Sequence, residues 1–189
     1  MNIIAIIPAR GGSKRIPNKN IVSLDGRPLI AYTIIEAKKS SYITRMIVST
    51  DSKDIAEVSK QYGAEVMMRH KELAEDTTPT LDVLKYILKD IDTDCIILLQ
   101  PTSPLRKRED IDNVIKLMNS ADSVSSVYQL SDGLYKENGA VYGIKKDVIM
   151  KQNSLYSNNH LLYVMPKERS IDIDEPIDLK IAEALIKNG

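Results

Sequence analysis

The first twenty residues constrain this chain more than any other stretch. Ile3-Ile-Ala-Ile-Ile is an unbroken apolar run without polar alternation, and Pro8 follows it directly. A strand with one face in water alternates and a strand covered on both faces does not, so the run predicts an inner strand with helices on either side of the sheet. Pro8 removes a ladder donor and ends that strand. Next comes Ala9-Arg-Gly-Gly-Ser-Lys-Arg-Ile-Pro-Asn-Lys-Asn20, which brings Arg10, Lys14, Arg15 and Lys19 together within ten residues. Open α/β sheets bind ligands just beyond the carboxyl ends of their strands. Gly11 and Gly12 let the backbone approach a ligand with N–H groups exposed, and the four cations call for a polyanion. The spacing is neither G-x-x-x-x-G-K-[ST] nor G-x-G-x-x-G. It predicts a loop that holds phosphates more by side chains than by a backbone nest.

The rest of the chain alternates strand and helix at the spacing of a parallel sheet. Leu24-Asp-Gly-Arg-Pro28 reads as a turn, with Pro28 opening a helix to about Lys39. Arg45 to Thr50 is a second buried strand, Thr50-Asp51 caps a helix to about Tyr62, Gly63 stops it, and Ala64 to Met68 is a third strand. A polar loop from Arg69 to Thr80 leads into a helix from about Pro79 to Asp90. Asp94 to Gln100 is a strongly apolar strand broken by Pro101-Thr-Ser-Pro104. A helix at Glu109 to Asn119 and strands at Ser123 to Tyr128 and Gly139 to Ile144 follow, the strands joined by a segment with Ser131-Asp-Gly133 as a turn. A short helix at Lys146 to Met150, a strand at His160 to Met165 and a helix from Glu175 to Lys187 complete the chain.

Composition removes several functional classes. Lys plus Arg equals Asp plus Glu at 26 each, so no global field favours nucleic acid or an anionic membrane. With no Trp and no Phe, the 189 residues offer few platforms for stacking bases. No apolar run approaches the ~20 residues of a membrane span, and no basic region precedes Met1 to Ile7 to make a signal peptide. The lone Cys95 sits in an apolar strand, which suits a reducing cytoplasm.

Several polar residues stand where chemistry is expected. Gln100 ends a buried strand and projects its amide at the ligand edge, or else bonds a neighbouring loop, and the stiff segment after it presents Thr102 and Ser103. Gly139 allows close approach beside the amide of Asn138. Asp76-Thr-Thr78 serves equally as a helix cap or as part of a site. Asp172 and Asp174 alternate in Ile171-Asp-Ile-Asp174, so an extended segment turns both carboxylates to one side. Two oxyanions on one face repel unless a cation joins them, and Mg²⁺ takes one or two carboxylates plus substrate phosphates. The other reading is that the pair only caps the helix that follows.

Pro8 to Asn20 resembles the nucleotide loop of the acylneuraminate cytidylyltransferases, the CMP-sialic acid synthetases and their pseudaminate and legionaminate relatives. The resemblance continues in order through Ile47-Val-Ser-Thr-Asp51, Arg69 with Glu72-Leu-Ala-Glu-Asp76, Leu98-Leu-Gln-Pro-Thr-Ser-Pro-Leu-Arg106, Asn138-Gly-Ala-Val-Tyr142, and Ser170-Ile-Asp-Ile-Asp174 with Asp178. The Kdo cytidylyltransferases resemble the first loop but lack the Gln-Pro-Thr-Ser-Pro-Leu-Arg stretch. The resemblance implies an α/β fold with a Rossmann-like, mostly parallel sheet flanked by helices, as one domain over residues 1–189. It implies transfer of CMP from CTP to the anomeric hydroxyl of a nonulosonic acid, with release of pyrophosphate. Arg10, Gly11, Gly12, Ser13, Lys14 and Asn20 would bind the triphosphate, with Arg10 and Lys19 nearest the charge developing on the α-phosphate. Arg69 and Thr80 would meet ribose and base. Gln100, Thr102, Ser103, Asn138 and Gly139 would meet the sugar. Asp172 and Asp174 would hold Mg²⁺ or Mn²⁺, with Asp174 as the catalytic member that helps deprotonate the sugar hydroxyl.

In the family, a long excursion before the Asn-Gly-Ala motif builds the dimer interface and sends an arginine into the partner's sugar pocket. Only about residues 129–137 occupy that interval here. A monomer, or a homodimer through another face, is therefore expected, with Arg106 or Lys136 meeting the sugar carboxylate from within the chain. A same-fold transferase for another base or sugar, such as a guanylyltransferase, and a nucleotide-binding module without catalysis remain alternatives.

Overall fold

The computed structural model describes residues 1–188. In chain order its elements are β1 (Ile3–Pro8), the short β2 (Ser23–Leu24) and β3 (Arg27–Pro28), α1 (Leu29–Lys39), β4 (Arg45–Thr50), α2 (Lys53–Gln61), β5 (Glu65–Met68), α3 (Thr80–Leu88), β6 (Cys95–Leu99), α4 (Arg108–Leu117), β7 (Ser123–Gln129), β8 (Tyr135–Lys145), α5 (Lys146–Met150), β9 (His160–Val164) and α6 (Pro176–Asn188). Apart from the β2–β3 ribbon, the strands form one seven-stranded sheet in the order β5-β4-β1-β6-β8-β7-β9. Strand β1 runs parallel to β4 and β6, β4 to β5, and β7 to β9. Only β8 is antiparallel to its neighbours. The expected α/β architecture with a mostly parallel sheet is therefore the observed one.

The apolar run of β1 explains itself in three dimensions. Successive side chains of a strand point to opposite faces. Ile3, Ala5 and Ile7 join the layer that packs on α1 and α4, with Ile34 and Val114 among their companions. Ile4 and Ile6 face the other way and join Leu84, Ile87 and Val148 of α3 and α5. Burying an isoleucine side chain contributes about 1.5–3 kcal/mol, so a polar residue at any of these positions would forfeit that and leave a buried polar group. Both layers leave the carboxyl ends of β1, β4 and β6 on a single edge, where the polar loops gather. Cys95 lies in the same buried sheet and is free, its thiol pushed up to about 11 by burial.

Element boundaries follow expectation within a few residues, with two local differences. The cap of α2 is Ser52, whose hydroxyl accepts from Ile55 N at 3.4 Å, not Thr50-Asp51. This one-residue shift frees the Asp51 carboxylate for another task. Likewise Asp76-Thr-Thr78 does not cap α3, whose first turn follows Pro79 without a side-chain bond. Thr78 instead donates to Glu72 O at 2.9 Å and closes the preceding loop on itself. Among the described residues, no helix is long and apolar enough to cross a membrane.

Candidate active site

The loop after β1 is shaped by groups behind it. Ala9 N donates to Ser49 O at 2.9 Å, extending the β1–β4 pairing one step beyond Pro8. Gly11 N then donates to Asp51 Oδ1 at 2.9 Å, and a Cβ on Gly11 would stand 3.0 Å from Ser52 Cβ. The N–H of Gly11, expected to be open to an anion, is thus already satisfied; glycine is required there because the loop lies against the end of β4. Asn20 is buried and donates through Nδ2 to Arg10 O at 2.9 Å, so its side chain holds the loop that carries Arg10. Gly12 has open space where a Cβ would be.

The cations of this loop face two carboxylates. Arg10 and Lys14 both bind Asp76, the lysine at 2.5 Å, and these two partners hold the Asp76 carboxyl below its usual range. Arg15 lies 3.3 Å from Asp174 Oδ2, and Lys19 Nζ lies 3.2 Å from Asp174 Oδ1 and 2.8 Å from Ile173 O. Between them is a cleft of about 400 Å³ that also takes in Ser13. Its walls can bind a chain of phosphates by exchanging carboxylate oxygens for phosphate oxygens, a like-for-like replacement in charge and geometry.

Beside it is a narrower cleft of about 200 Å³, walled by Arg10, Asn20, Arg69, Thr80 and Gln100. Arg69 is only 7% exposed, yet its Nε and Nη1 have no hydrogen-bond partner. Burial pushes its pKa down, partly offset by Asp51. A buried guanidinium with free donors is costly unless a ligand supplies acceptors. Its position therefore suits a molecule with carbonyl or hydroxyl oxygens.

A third cavity, of about 670 Å³, opens on the far side of Gln100 and Thr102. Its edge is a bulge in β8. Ser125 pairs with Tyr142 and Val127 with Glu137, so four residues of β8 oppose the single Ser126 of β7. Ser126 fills the gap, donating to Asn138 Oδ1 at 2.6 Å and accepting from Val141 N at 2.8 Å. Asn138 Nδ2 donates in turn to Ser170 Oγ at 2.9 Å. Gly139 takes φ +70°, a conformation that favours glycine, and turns the backbone toward the cavity. The Asn138 amide is thus spent on the bulge, although both Asn138 and Gly139 line the cavity. Thr102 lines the cavity, whereas Ser103 is fully buried behind its wall, donating to Asn138 O at 3.5 Å.

Arg106 does not reach this space. It is 1% exposed; Nη1 donates to Ala140 O at 2.5 Å, and Nη2 to Gln100 O at 2.6 Å, Thr33 Oγ1 at 2.7 Å and Ser103 O at 2.9 Å. Burial pushes its pKa down to about 9, which leaves it protonated at neutral pH with its charge spread over oxygen acceptors. The expectation that Arg106 meets a substrate carboxylate is corrected: it ties the loop after β6 to the β8 bulge, two walls of the cavity.

Asp172 and Asp174 both line the third cavity, on one side of their segment as the alternation requires. Ile173 between them is fully buried, and its N–H donates to Thr102 O at 2.7 Å. The capping role falls to Asp178, whose Oδ2 accepts from Asp174 N at 2.9 Å and Glu175 N at 2.7 Å. Burial raises the pKa of Asp172, opposed by the Thr102 hydroxyl. Among the described residues, no group of three or more His, Cys, Asp or Glu is arranged to hold a metal ion. The carboxylate pair matches instead a hard cation that completes its shell with phosphate oxygens. Lys19 lines all three spaces and stands where they meet.

Asp51 and the Ser126-filled bulge were not legible as parts of this site. Asp51 looks like a helix cap, and nothing local marks Ser126 as the plug of a bulge.

A cation-rich loop at the carboxyl edge of a mostly parallel sheet, flanked by two further clefts, belongs to the nucleotidyltransferase type of α/β fold. Among solved structures, a CMP:2-keto-3-deoxy-manno-octonic acid synthetase complexed with CTP superposes with a TM-score of 0.82 at 16% identity, covering 100% of this chain and 99% of that one. A 4-diphosphocytidyl-2C-methyl-D-erythritol synthase from Anaerococcus prevotii gives 0.77 at 15% identity, covering 98% of each chain. The family itself follows from sequence. The chain belongs to the cytidylyltransferase family, whose model matches residues 4–175. A CMP-N,N'-diacetyllegionaminic acid synthase of Legionella pneumophila is 38% identical, with 99% of this chain and 97% of that protein covered. An N-acylneuraminate cytidylyltransferase of Escherichia coli is 32% identical over 95% of this chain, which spans 51% of that protein. The first of these alignments extends over 225 positions against 189 residues here, so the Legionella protein carries stretches that this chain lacks.

Proposed function

We propose that the protein transfers CMP from CTP to the hydroxyl of an acidic, sialic-acid-like sugar and releases pyrophosphate. The observation that carries the reading is the position of Lys19 at the meeting point of three spaces, beside the Asp172–Asp174 pair. CTP fits with its triphosphate among Arg10, Ser13, Lys14 and Lys19, and its nucleoside toward Arg69 and Thr80. The α-phosphorus then comes to lie near Lys19, facing the third cavity. There the sugar rests against Gln100, Thr102 and Gly139. Nucleotidyl transfer leaves little covalent work for a protein, and fixed positive charge around the reacting phosphorus supplies most of the catalysis. Mg²⁺ or Mn²⁺, held by Asp172 and Asp174 together with the phosphates, would neutralise charge there and favour the deprotonated sugar hydroxyl. Ile173 and Asp178 hold the pair in place, and Lys19 and Arg15 orient Asp174.

We further read the chain as a single domain acting in the cytoplasm. The excursion interval closes as a hairpin within one chain, with Leu130 N donating to Leu134 O at 2.8 Å. That closure supports a monomer, or a dimer through another face, and sedimentation analysis checks it.

The test of the reaction is pyrophosphate release from CTP, with GTP as comparison, in the presence of Mg²⁺ and N,N'-diacetyllegionaminic or N-acetylneuraminic acid. Release that needs CTP, metal and sugar together is expected. Release with GTP alone would move the reading to another base, and binding of CTP without release would leave a nucleotide-binding module.

A further inference from the structure

The third cavity is rich in negative charge. Glu137, Asp172, Asp174 and Asp178 line it against two cations, Lys19 and Lys136. Lys19 is committed, with Asp174 and Ile173 O as its partners. Lys136 is exposed and pairs with no carboxylate among the described residues. The relatives named above make or activate acids. An acid entering a cavity with this balance of charge is repelled except where a free cation meets it.

We propose that Lys136 is the specificity-determining residue for the acceptor, binding its carboxylate from within the same chain; the inference rests on the transfer reaction proposed above. The backbone that carries it is held by the two residues that follow. Glu137, next along β8, accepts from Tyr156 Oη at 3.0 Å and Tyr142 Oη at 3.4 Å. Asn138 is bound by Ser126 and Ser170. Across the ladder Lys136 is in register with Tyr128, which also lines the cavity, and residues paired in this way project to the same face. The closed hairpin delivers this arm without a second subunit. With Arg106 enclosed by carbonyl and hydroxyl oxygens, Lys136 is the basic group left free in the acceptor cavity.

The experiment compares two acceptors, N-acetylneuraminic or N,N'-diacetyllegionaminic acid and the neutral C1-amide of the same sugar, in the parent, Lys136→Ala and Lys136→Arg. The parent is expected to favour the acid. Lys136→Ala should raise KM for the acid about tenfold or more, the scale of one charge-assisted contact, and leave KM for CTP and for the amide unchanged. Lys136→Arg should restore most of the preference. A parent that turns over CTP while Lys136→Ala keeps the full preference for the acid overturns this proposal alone. A parent that transfers CMP to neither sugar overturns the transfer reading and this proposal with it.

Discussion

The phosphate-binding cleft and the acceptor cavity share Lys19 and Asp174 but are electrically opposite. In the first, Arg10, Lys14, Arg15 and Lys19 are met by Asp76 and Asp174, so each cation already has a partner that a phosphate oxygen can replace. In the second, carboxylates crowd one wall and Asp172 has no ion-pair partner among the described residues, its pKa raised chiefly by desolvation. The first region is prepared for an anion by ion pairs that exchange. In the proposed reaction the second would take a cation that arrives with the nucleotide. On that reading, nucleotide and metal would complete the site before the acidic acceptor enters it.

The largest effect is expected where two walls of the acceptor cavity are tied together. Arg106→Ala removes a buried guanidinium and leaves several buried oxygen acceptors unpaired, at about 1–3 kcal/mol for each such group, which should destabilise the fold by several kcal/mol. Denaturant unfolding checks this, and a loss confined to activity would show that Arg106 meets substrate after all. Next in size is Lys19→Ala, for which turnover should fall by about 10²–10³-fold, the range for removing a fixed charge-stabilising group from a reaction centre. Asp172→Asn should behave likewise in transfer while folding normally, and chelation of the metal should reproduce its effect in the parent. If Asp172→Asn turns over like the parent at limiting Mg²⁺, the negative character of the acceptor cavity has another purpose.

Two smaller changes sharpen the contrast inside the phosphate cleft. Arg10→Ala should weaken CTP by about 1–3 kcal/mol in calorimetry, as expected for a lost charge-assisted bond. Asp76→Asn should act in the opposite direction and tighten CTP modestly, because the displaced partner is exposed and its pairs are screened. Weaker binding in Asp76→Asn would mean that this carboxylate contacts the nucleotide instead of yielding to it.

The smallest effect belongs to His160, away from both clefts. Its Nδ1 lies 2.8 Å from Ser123 Oγ and its Nε2 3.1 Å from Ser125 Oγ, pinning the β7–β9 pair. Burial lowers its pKa, with Glu137 acting against that shift. A histidine whose folded pKa lies below its unfolded value takes up more protons when unfolded, so stability falls as pH drops through the unfolded value near about 6.5. Thermal melts should show a slight loss of Tm below that pH, and His160→Gln should flatten it.

Much of the fold was legible because it rests on local regularities. The bare apolar run of β1, the alternation of strand and helix, and Gly63 after α2 mark elements through period and backbone chemistry acting over a few residues. The polar loops were legible as ligand loops for a related reason. A strand that ends in a cation-rich or proline-stiffened segment must place it at the sheet's carboxyl edge.

Partnerships among distant residues were decided by tertiary structure. Whether Asp51 caps a helix or holds Gly11, forty positions earlier, depends on how β1 and β4 stack. Whether Arg106 meets a substrate or a ring of oxygens depends on α1, the loop after β6 and β8 converging on it. Asn138 looked like a ligand-facing amide and instead supports the bulge that exposes Gly139, since the extra β8 residues leave a gap that its amide and Ser126 fill. Residue type and spacing specify which groups can bind an anion or a metal. Burial then decides which of them are left unpaired to do so, because a polar group enclosed by the fold must find its partners within the fold.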